Sequence, residues 1–230
     1  MAAKEYPSII FKKRSKSIKN RLTDYCKETM ELYQKIKNLI DNYEETIVKE
    51  CNDKSKELDI EGYEIEKECI NFIAVEKPVA SDLMYIESAI RVISHVKRIA
   101  YLCKNIADSS EAINKVNIPK ELLEELKFMA NYVQLMITNG FDSFINQDIT
   151  TAADLEEDDD TVDQLFDKIL NEVTGLLSKK TDYAINIMNV LFIARYLERI
   201  ADRVVNIGDR VIYINTYERP HIKSLKEGSK

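Results

Sequence analysis

Apolar residues recur at three- and four-residue steps along most of the chain, a period typical of amphipathic helices. One such series is Leu22, Tyr25, Leu32, Ile36, Leu39, Ile40 and Tyr43, and another is Leu122, Leu126, Met129, Val133, Ile137 and Phe144. No stretch shows the sustained apolar and polar alternation of a half-buried strand. Polar or proline-containing breaks divide the pattern into predicted helices at about residues 15–50, 55–76, 79–108, 119–146, 155–178 and 181–214. The sequence therefore predicts an all-α fold of six long helices.

The two halves of the chain share one pattern. The segment KRIAYLCKNI, residues 97–106, aligns without a gap with ERIADRVVNI, residues 198–207, at an offset of 101 residues. Other pairs at this offset are Leu22 and Leu123, Tyr25 and Leu126, Ile36 and Ile137, and Ile86 and Ile187. This internal repeat predicts two tandem three-helix bundles packed side by side, with antiparallel helices. A single mixed bundle is the alternative.

These predictions divide the chain into four parts. Residues 1–17 form a basic N-terminal arm, residues 18–110 the first repeat and residues 119–214 the second repeat. The tail, residues 215–230, contains a proline and lysines, and we expect it to be mobile.

Composition restricts the class of protein. The chain has 230 residues, of which 45% are hydrophobic and 32% charged, as in a globular protein with a buried core. Its net charge of −7 disfavours nucleic acid as the main partner. The longest nearly apolar run, residues 184–194, is too short to cross a bilayer, and no signal peptide is expected. The cysteines Cys26, Cys51, Cys69 and Cys103 form no CxxC pair, and we interpret them as reduced cytosolic thiols.

One stretch departs from the acidic balance. FKKRSKSIKNR, residues 11–21, carries six basic residues and no acidic one. It is either a solvated start of a helix or an arm that meets an acidic surface or a membrane face.

Two pairs of carboxylates lie at one-turn spacing in the second repeat. Glu198 and Asp202 form one pair, and Asp159 and Asp163 repeat the arrangement on the preceding helix. Like charges one turn apart destabilise a helix by a few tenths of a kcal/mol. Because the two helices are antiparallel neighbours, both pairs should lie about 30 Å from the turn that joins them. The sequence therefore predicts a site for a hard cation such as Mg, Ca, Mn or iron, held by these four residues.

The first repeat serves as an internal control. The residues opposite Asp159, Asp163, Glu198 and Asp202 are Leu58, Gly62, Lys97 and Tyr101, so all four carboxylates are lost together. This coordinated loss indicates one working site and one degenerate site. By contrast, Asn206 and Asp209 keep their counterparts Asn105 and Asp108, which favours a structural role. The remaining acids of residues 154–158 are expected in the first turn of the fifth helix, where they offset its dipole.

The sequence resembles the PhoU family of phosphate-signalling proteins over residues 18–214. The matching segments are ARYLERIADRVVNIGD at residues 194–209, DDTVD at residues 159–163 and PVASDLMYIESAIRV at residues 78–92. The last segment is similar to the turn that opens the third helix in this family.

The resemblance implies a cytoplasmic, homodimeric regulator without a catalytic reaction of its own. Family members bind multinuclear iron or zinc clusters, with manganese or magnesium as further candidates. They act between the ATPase subunit of the phosphate transporter and a sensor histidine kinase, and they repress the phosphate-starvation response. The resemblance therefore implies a peripheral contact with the membrane through the transporter. Carried over to this chain, the metal ligands are Asp159, Asp163, Glu198 and Asp202. The first repeat departs from the family pattern, and Lys97 would place a fixed cation where the family uses metal.

Three alternatives remain open at this stage. The first is a PhoU-like regulator of another transporter or of a potassium channel. The second is a carboxylate-bridged metalloenzyme, but the only Glu-x-x-His spacing is Glu218 and His221 in the tail, and one copy cannot build a di-iron site. The other histidine, His95, is expected to be packed or at an interface. The third is a helical adaptor whose acidic face is solvated.

Overall fold

The computed structural model describes residues 9–114, 118–178 and 184–218, which form six α-helices. In chain order these are α1 (Ile9–Asp41), α2 (Glu45–Glu76), α3 (Ala80–Asn114), α4 (Lys120–Asn146), α5 (Ile149–Leu177) and α6 (Ala184–Thr216). These residues contain no strand, so the predicted all-α class is confirmed. None of the described helices is long and apolar enough to cross a membrane.

The helices form the two predicted bundles. Helices α1, α2 and α3 pack against one another, and so do α4, α5 and α6. The bundles meet where α3 lies on α6 and α1 lies on α4. The buried side chains of both halves join in one hydrophobic core. The prediction of tandem three-helix bundles is therefore correct, and the two bundles share an interior.

Buried aromatic residues connect α1 and α3 to α4. The hydroxyl of Tyr33 donates a hydrogen bond of 2.8 Å to the backbone carbonyl of Ala130. The ring of Tyr85 stacks on Phe144 with 5.6 Å between the centroids. These contacts give the interface between the repeats a specific register in addition to its apolar area.

Helices α3 and α6 run in opposite directions. Near the end of α3, the backbone carbonyl of Ala112 accepts a hydrogen bond of 2.6 Å from the Asn186 side chain at the start of α6. At the other end of the pair, Arg210 lies 3.5 Å from Glu87. Because α6 also packs on α4 and α5, it is shared by the two bundles.

The first turn between helices lies earlier than predicted. Helix α1 ends at Asp41 rather than near residue 50, and α2 begins at Glu45 rather than at residue 55. The polar segment 51–55 was expected to be a break, but Cys51 and Ser55 point into the core one turn apart. Ser55 donates a hydrogen bond of 3.1 Å to the carbonyl of Ala100, so its hydroxyl is satisfied inside the bundle.

Helix α5 also begins earlier than predicted, at Ile149 instead of residue 155. The carboxylate of Asp148 accepts hydrogen bonds from the backbone N–H groups of Thr150 and Thr151, at 3.0 and 3.3 Å. This N-cap satisfies two amides that have no partner within the helix. The acids of residues 154–158 therefore lie beyond the first turn, and the explanation by the helix dipole is wrong for them.

The ends of the chain differ in part from expectation. Residues 9–17 of the predicted arm are the first turns of α1, and Phe11 is buried against Phe72 with 5.0 Å between the ring centroids. Residues 1–8 of the arm, and residues 219–230 of the predicted mobile tail, lie outside the described residues. All four cysteines are free and buried.

Candidate metal centre

Helices α5 and α6 bring the four predicted carboxylates into one cluster. Asp159 and Asp163 lie one turn apart on α5, and Glu198 and Asp202 lie one turn apart on α6. The negative charges of the other three carboxylates all act on Asp159. The two pairs therefore lie at the same height in the bundle, as the antiparallel arrangement requires.

Ionisation of this cluster is unfavourable. Burial, followed by the charges of Asp202, Asp163 and Glu198, raises the pKa of Asp159 to about 7. Burial and the Asp202 charge also raise the pKa of Asp163. Burial raises the pKa of Glu198, although the adjacent Arg195 opposes the shift. The folded chain therefore keeps carboxylates together that repel one another near neutral pH.

Two buried oxygen atoms of the cluster lack a hydrogen-bond donor. They are Oδ1 of Asp159 and Oε2 of Glu198, one on each helix. A buried acceptor without a partner costs about 1 to 3 kcal/mol, a cost that a bound cation would remove. An all-oxygen donor set of this kind suits a hard cation.

The four carboxylates lie in one cluster, but they do not form a coordination shell around a single point. Across residues 9–114, 118–178 and 184–218, no three His, Cys, Asp or Glu side chains stand at the spacing of a formed coordination shell. The charges of the other three carboxylates on Asp159 show that the four side chains are near one another, although they do not form a coordination shell in the described residues. Metal binding by Asp159, Asp163, Glu198 and Asp202 thus stays a prediction.

Arg195 is a further residue of the cluster that the carboxylate pattern of the sequence does not indicate. Its guanidinium forms an ion pair with Oε1 of Glu198 and lies over the ring of Phe166, 5.6 Å from the centroid. Its positive charge opposes the rise in the pKa of both Asp163 and Glu198, and it stands at the edge of the cluster. Its place three residues before Glu198 was the available signal, since residues at this spacing share a helix face.

The polar residues around the cluster have structural partners. The side chain of Asn206 donates a hydrogen bond of 2.5 Å to the backbone carbonyl of Asp202, which agrees with the structural role expected for it. The hydroxyl of Tyr132 on α4 donates a bond of 2.8 Å to Asp158, which connects α4 to α5 beside the cluster.

In the first repeat the equivalent place has a different chemistry. Leu58 is part of the core, and Tyr101 is partly exposed beneath the guanidinium of Arg98. The ammonium of Lys97 lies 3.1 Å from Asp59, so a fixed cation does stand at this place and is paired within the repeat. The first repeat thus has no carboxylate at any of the four positions.

Gly62 leaves no space for a ligand on α2. A Cβ atom at this position would lie 2.6 Å from the Tyr25 hydroxyl oxygen and 2.8 Å from Cγ of Lys97. Tyr25 is fully buried and cannot withdraw easily. An acidic side chain here would require the repeat to be repacked.

Comparison with known sequences agrees with this two-repeat architecture. The PhoU domain family model matches the chain twice, at residues 15–110 and at residues 126–211. The chain belongs to the PhoU family. The resemblance noted from the sequence motifs is thereby confirmed, and each matched PhoU domain covers most of one three-helix bundle.

Individual PhoU relatives are similar over most of the chain. The Methanothermobacter thermautotrophicus protein called phosphate-specific transport system accessory protein PhoU homolog 1 is 39% identical over 217 residues, which cover 94% of this chain and 99% of the relative. A protein of Clostridium acetobutylicum called phosphate-specific transport system accessory protein PhoU homolog is 30% identical, covering 76% of this chain and 78% of the relative.

Solved PhoU structures share the fold. The crystal structure of PhoU from Pseudomonas aeruginosa superposes with a TM-score of 0.86 at 21% identity, covering 90% of this chain and all of the other. That of the phosphate transport system regulatory protein PhoU from Streptococcus pneumoniae gives 0.83 at 20% identity, covering 91% and 98%.

In this PhoU-family chain, Asp59, Lys97 and Tyr101 of the first repeat line a cleft of about 510 Å³ between α2, α3 and α6. His95 lies in it, at the interface of α3 and α6. Burial, and then the charges of Arg203, Arg210 and Arg91, lower the pKa of His95 to about 4. The imidazole is therefore neutral at physiological pH, and it lies outside the carboxylate cluster.

Proposed function

We propose that this PhoU-family protein is a cytoplasmic, metal-binding regulator of phosphate uptake that acts by contact with other proteins and not by catalysis. The names of its relatives, phosphate-specific transport system accessory proteins, support the link to phosphate transport. The proposed partners are the ATPase subunit of the phosphate transporter and a sensor histidine kinase. The proposed effect is repression of the phosphate-starvation response by a homodimer.

One observation carries the metal-binding part of this proposal. Two helices converge on four carboxylates, and Asp159 and Glu198 each contribute a buried oxygen without a partner. Divalent or trivalent ions, as an iron or zinc cluster or as manganese or magnesium, would supply the missing positive charge. Asp159 and Asp163 would hold such ions from α5, and Glu198 and Asp202 from α6.

The chain's own residues prepare this site. Burial keeps the Asp159 carboxyl from full hydration, so it gains more from a cation than an exposed carboxylate does. Arg195 holds one oxygen of Glu198 and leaves the other directed inward. Because α6 packs on α3 as well as on α5, a change in the distance between α5 and α6 is transmitted to the first repeat. In this proposal, binding of metal thereby determines the shape of the surface that contacts the partner proteins.

A regulatory role also fits the histidine placement. A di-iron carboxylate enzyme needs Glu-x-x-His pairs in the bundle interior. The histidine of the described residues, His95, lies beside arginines at the α3–α6 interface and away from the carboxylates. This arrangement supports a binding function over a carboxylate-bridged metalloenzyme.

Elemental analysis tests the metal site. Protein purified without chelator should contain stoichiometric metal, and the double variant Glu198→Ala with Asp202→Ala should contain none. A matched control removes two exposed acids one turn apart on α2, Asp53→Ala with Glu57→Ala, and should keep its metal. Unchanged metal content in the first variant would show that the site is wrong.

A separate experiment tests the partners. The tagged protein, purified gently from cells grown in high phosphate, should carry the transporter ATPase subunit with it. Recovery of the subunits of a different ion transporter would instead support the alternative regulator. Loss of the Glu198 and Asp202 carboxylates should weaken this association in the same preparation, because metal occupancy is proposed to set the contact surface.

A further inference from the structure

The ends of α1 and α2 expose a group of large apolar side chains at one end of the bundle. Ile9 is 86% exposed and Ile10 64%, at the start of α1. Val75, at the end of α2, and Val79, in the following turn, are 61% and 57% exposed. We call these four residues the apolar tip. Soluble proteins usually scatter such residues singly, so four together indicate a contact with an apolar phase.

The tip is held firmly in place. Directly behind it, Phe11 is buried against Phe72, with 5.0 Å between the ring centroids. One turn further, the guanidinium of Arg14 lies 2.9 Å from the carboxylate of Glu76. The first turn of α1 is thus fixed to the last turn of α2, and the exposure of Ile9 and Ile10 does not come from a frayed helix end.

Four exposed lysines lie at the same end of the bundle as the tip, Lys12, Lys13 and Lys16 in the first turns of α1 and Lys77 directly after α2. We call these the lysine collar. None of the four forms an ion pair with another residue in the described part of the chain. Lys16 lies seven residues after Ile9, so the two share a face of α1. The collar is positive in a chain whose net charge is −7.

Apolar side chains framed by unpaired lysines match the surface of an anionic bilayer. In that setting the apolar groups enter the boundary between headgroups and acyl chains, and the lysines meet the lipid phosphates. The rest of the acidic chain is repelled by the same surface, which orients the bundle with this end toward the lipid.

We infer that the apolar tip and the lysine collar dock this protein directly on an anionic phospholipid membrane. The docking does not depend on the carboxylate cluster, which lies on α5 and α6. It goes beyond the proposed regulatory function, because it gives the protein a membrane contact of its own before any protein partner is met.

Sedimentation with vesicles tests the inference on the full chain. Vesicles of phosphatidylcholine and phosphatidylglycerol in equal parts should bind the protein, and vesicles of phosphatidylcholine alone should not. Near an anionic surface each lysine contributes on the order of fivefold to the binding constant. The variant Lys12→Gln, Lys13→Gln, Lys16→Gln should therefore bind about a hundredfold more weakly at low salt. Ile9→Ser with Ile10→Ser should also abolish sedimentation.

A matched control changes lysines at the opposite end of the bundle. Lys49→Gln with Lys120→Gln removes two exposed charges near the starts of α2 and α4 and should leave binding unchanged. An equal loss in this control would overturn the inference, since it would show an effect of net charge alone. Circular dichroism and the unfolding midpoint confirm that each variant is folded.

Fluorescence locates the contact, because the sequence contains no tryptophan. In Ile10→Trp the emission should shift to shorter wavelength on addition of the anionic vesicles. In Phe128→Trp, at an exposed position on the flank of α4, it should not shift. Failure to bind protein-free vesicles, or binding that the Ile9 and Ile10 substitutions leave intact, would overturn the inference. If the wild type does not bind vesicles but Ile9→Ser with Ile10→Ser loses the transporter in the capture experiment, the tip belongs to a protein partner and the inference is overturned.

Discussion

The Lys97 ammonium on α3 lies 3.1 Å from Asp59 on α2, and the repeat places Glu198 and Asp160 at the corresponding positions of α6 and α5. The same pair of helices therefore carries an internal ion pair in one half and facing carboxylates in the other. The first repeat is neutralised by its own lysine. The second is left with excess negative charge, which Arg195, paired with Glu198, and Arg199 partly offset.

The carboxylate cluster predicts an unusual pH dependence. The pKa of Asp159 is raised from 3.8 to about 7, so the folded state binds this proton more tightly than the unfolded state does. In chelator-treated protein this contribution to the free energy of unfolding is fully present below pH 3.8 and is lost as the pH rises to about 7. Because the carboxyl is partly solvated, we expect about 1 to 2 kcal/mol rather than the full value of the shift.

Urea unfolding at pH 5 and pH 8 measures this effect. The difference in unfolding free energy between wild type and Asp159→Asn isolates it from other titrating groups. The variant should gain stability relative to wild type as the pH rises. A difference that is the same at both pH values would contradict the assignment.

Metal should reverse the penalty of the cluster. We expect Glu198→Ala with Asp202→Ala to raise the stability of metal-free protein by up to about 1 kcal/mol, because it removes repulsion. In wild type, metal at a hundred times its dissociation constant should add about 2.7 kcal/mol, and the variant should gain nothing. Thermal unfolding with and without added iron, zinc or manganese measures both effects. An equal metal-induced shift in the two proteins would refute the site.

Two glycines in helices should respond to alanine in opposite ways. A Cβ on Gly62 would lie 2.6 Å from the buried Tyr25 hydroxyl oxygen, whereas a Cβ on Gly175 has no neighbour within 4 Å. Gly62→Ala should cost about 1 to 3 kcal/mol by overpacking. Gly175→Ala should stabilise α5 by up to about 1 kcal/mol through helix propensity. Chemical unfolding of the two variants checks the contrast, and a stabilised Gly62→Ala would show that the core adapts.

The hydrogen bond between Tyr33 and Ala130, which joins the two repeats, should make a measurable contribution to the free energy of unfolding. Tyr33→Phe removes the buried hydroxyl that donates to the Ala130 carbonyl, at an expected cost of about 1 kcal/mol. Tyr63→Phe on the exposed face of α2 should change the unfolding free energy by less than about 0.5 kcal/mol. Both values come from urea denaturation. Equal effects would mean that the interface bond contributes nothing.

Much of the fold could be predicted because the same helical pattern of apolar residues occurs in both halves of the chain. The 101-residue offset and the helical period were enough to define two bundles. The helix boundaries were less accessible. The turn at residues 42–44 contains neither glycine nor proline, while the polar segment at residues 51–55 conceals the buried Cys51 and Ser55. The N-cap at Asp148, followed by two threonines, was a readable signal for the start of α5.

Only those features of the candidate site that follow from the spacing of residues along each helix could be predicted from the sequence. Intervals of four residues place Asp159 with Asp163 and Glu198 with Asp202 on their helix faces, and the structure brings these faces together. Spacing does not determine how each helix is rotated about its axis against its neighbour. That rotation determines which oxygens of Asp159 and Glu198 are buried and whether Arg195 can pair with Glu198. These features are therefore seen only in the three-dimensional structure.

The packing of α3 on α6 has a consequence for how the two halves can diverge. Helix α6 carries two of the carboxylates, and it also packs against helix α3 of the first repeat. That repeat has Leu58, Gly62, Lys97 and Tyr101 at the positions of the four carboxylates, but its helix α3 must still fit against α6. Substitutions in the first repeat are therefore limited by how its helices pack. Substitutions in the second repeat are limited by packing and also by the need to keep the four carboxylates. We therefore expect a substitution on the α6-facing side of α3 to act across this interface on the carboxylates of α6, and so on the ions that they are proposed to bind.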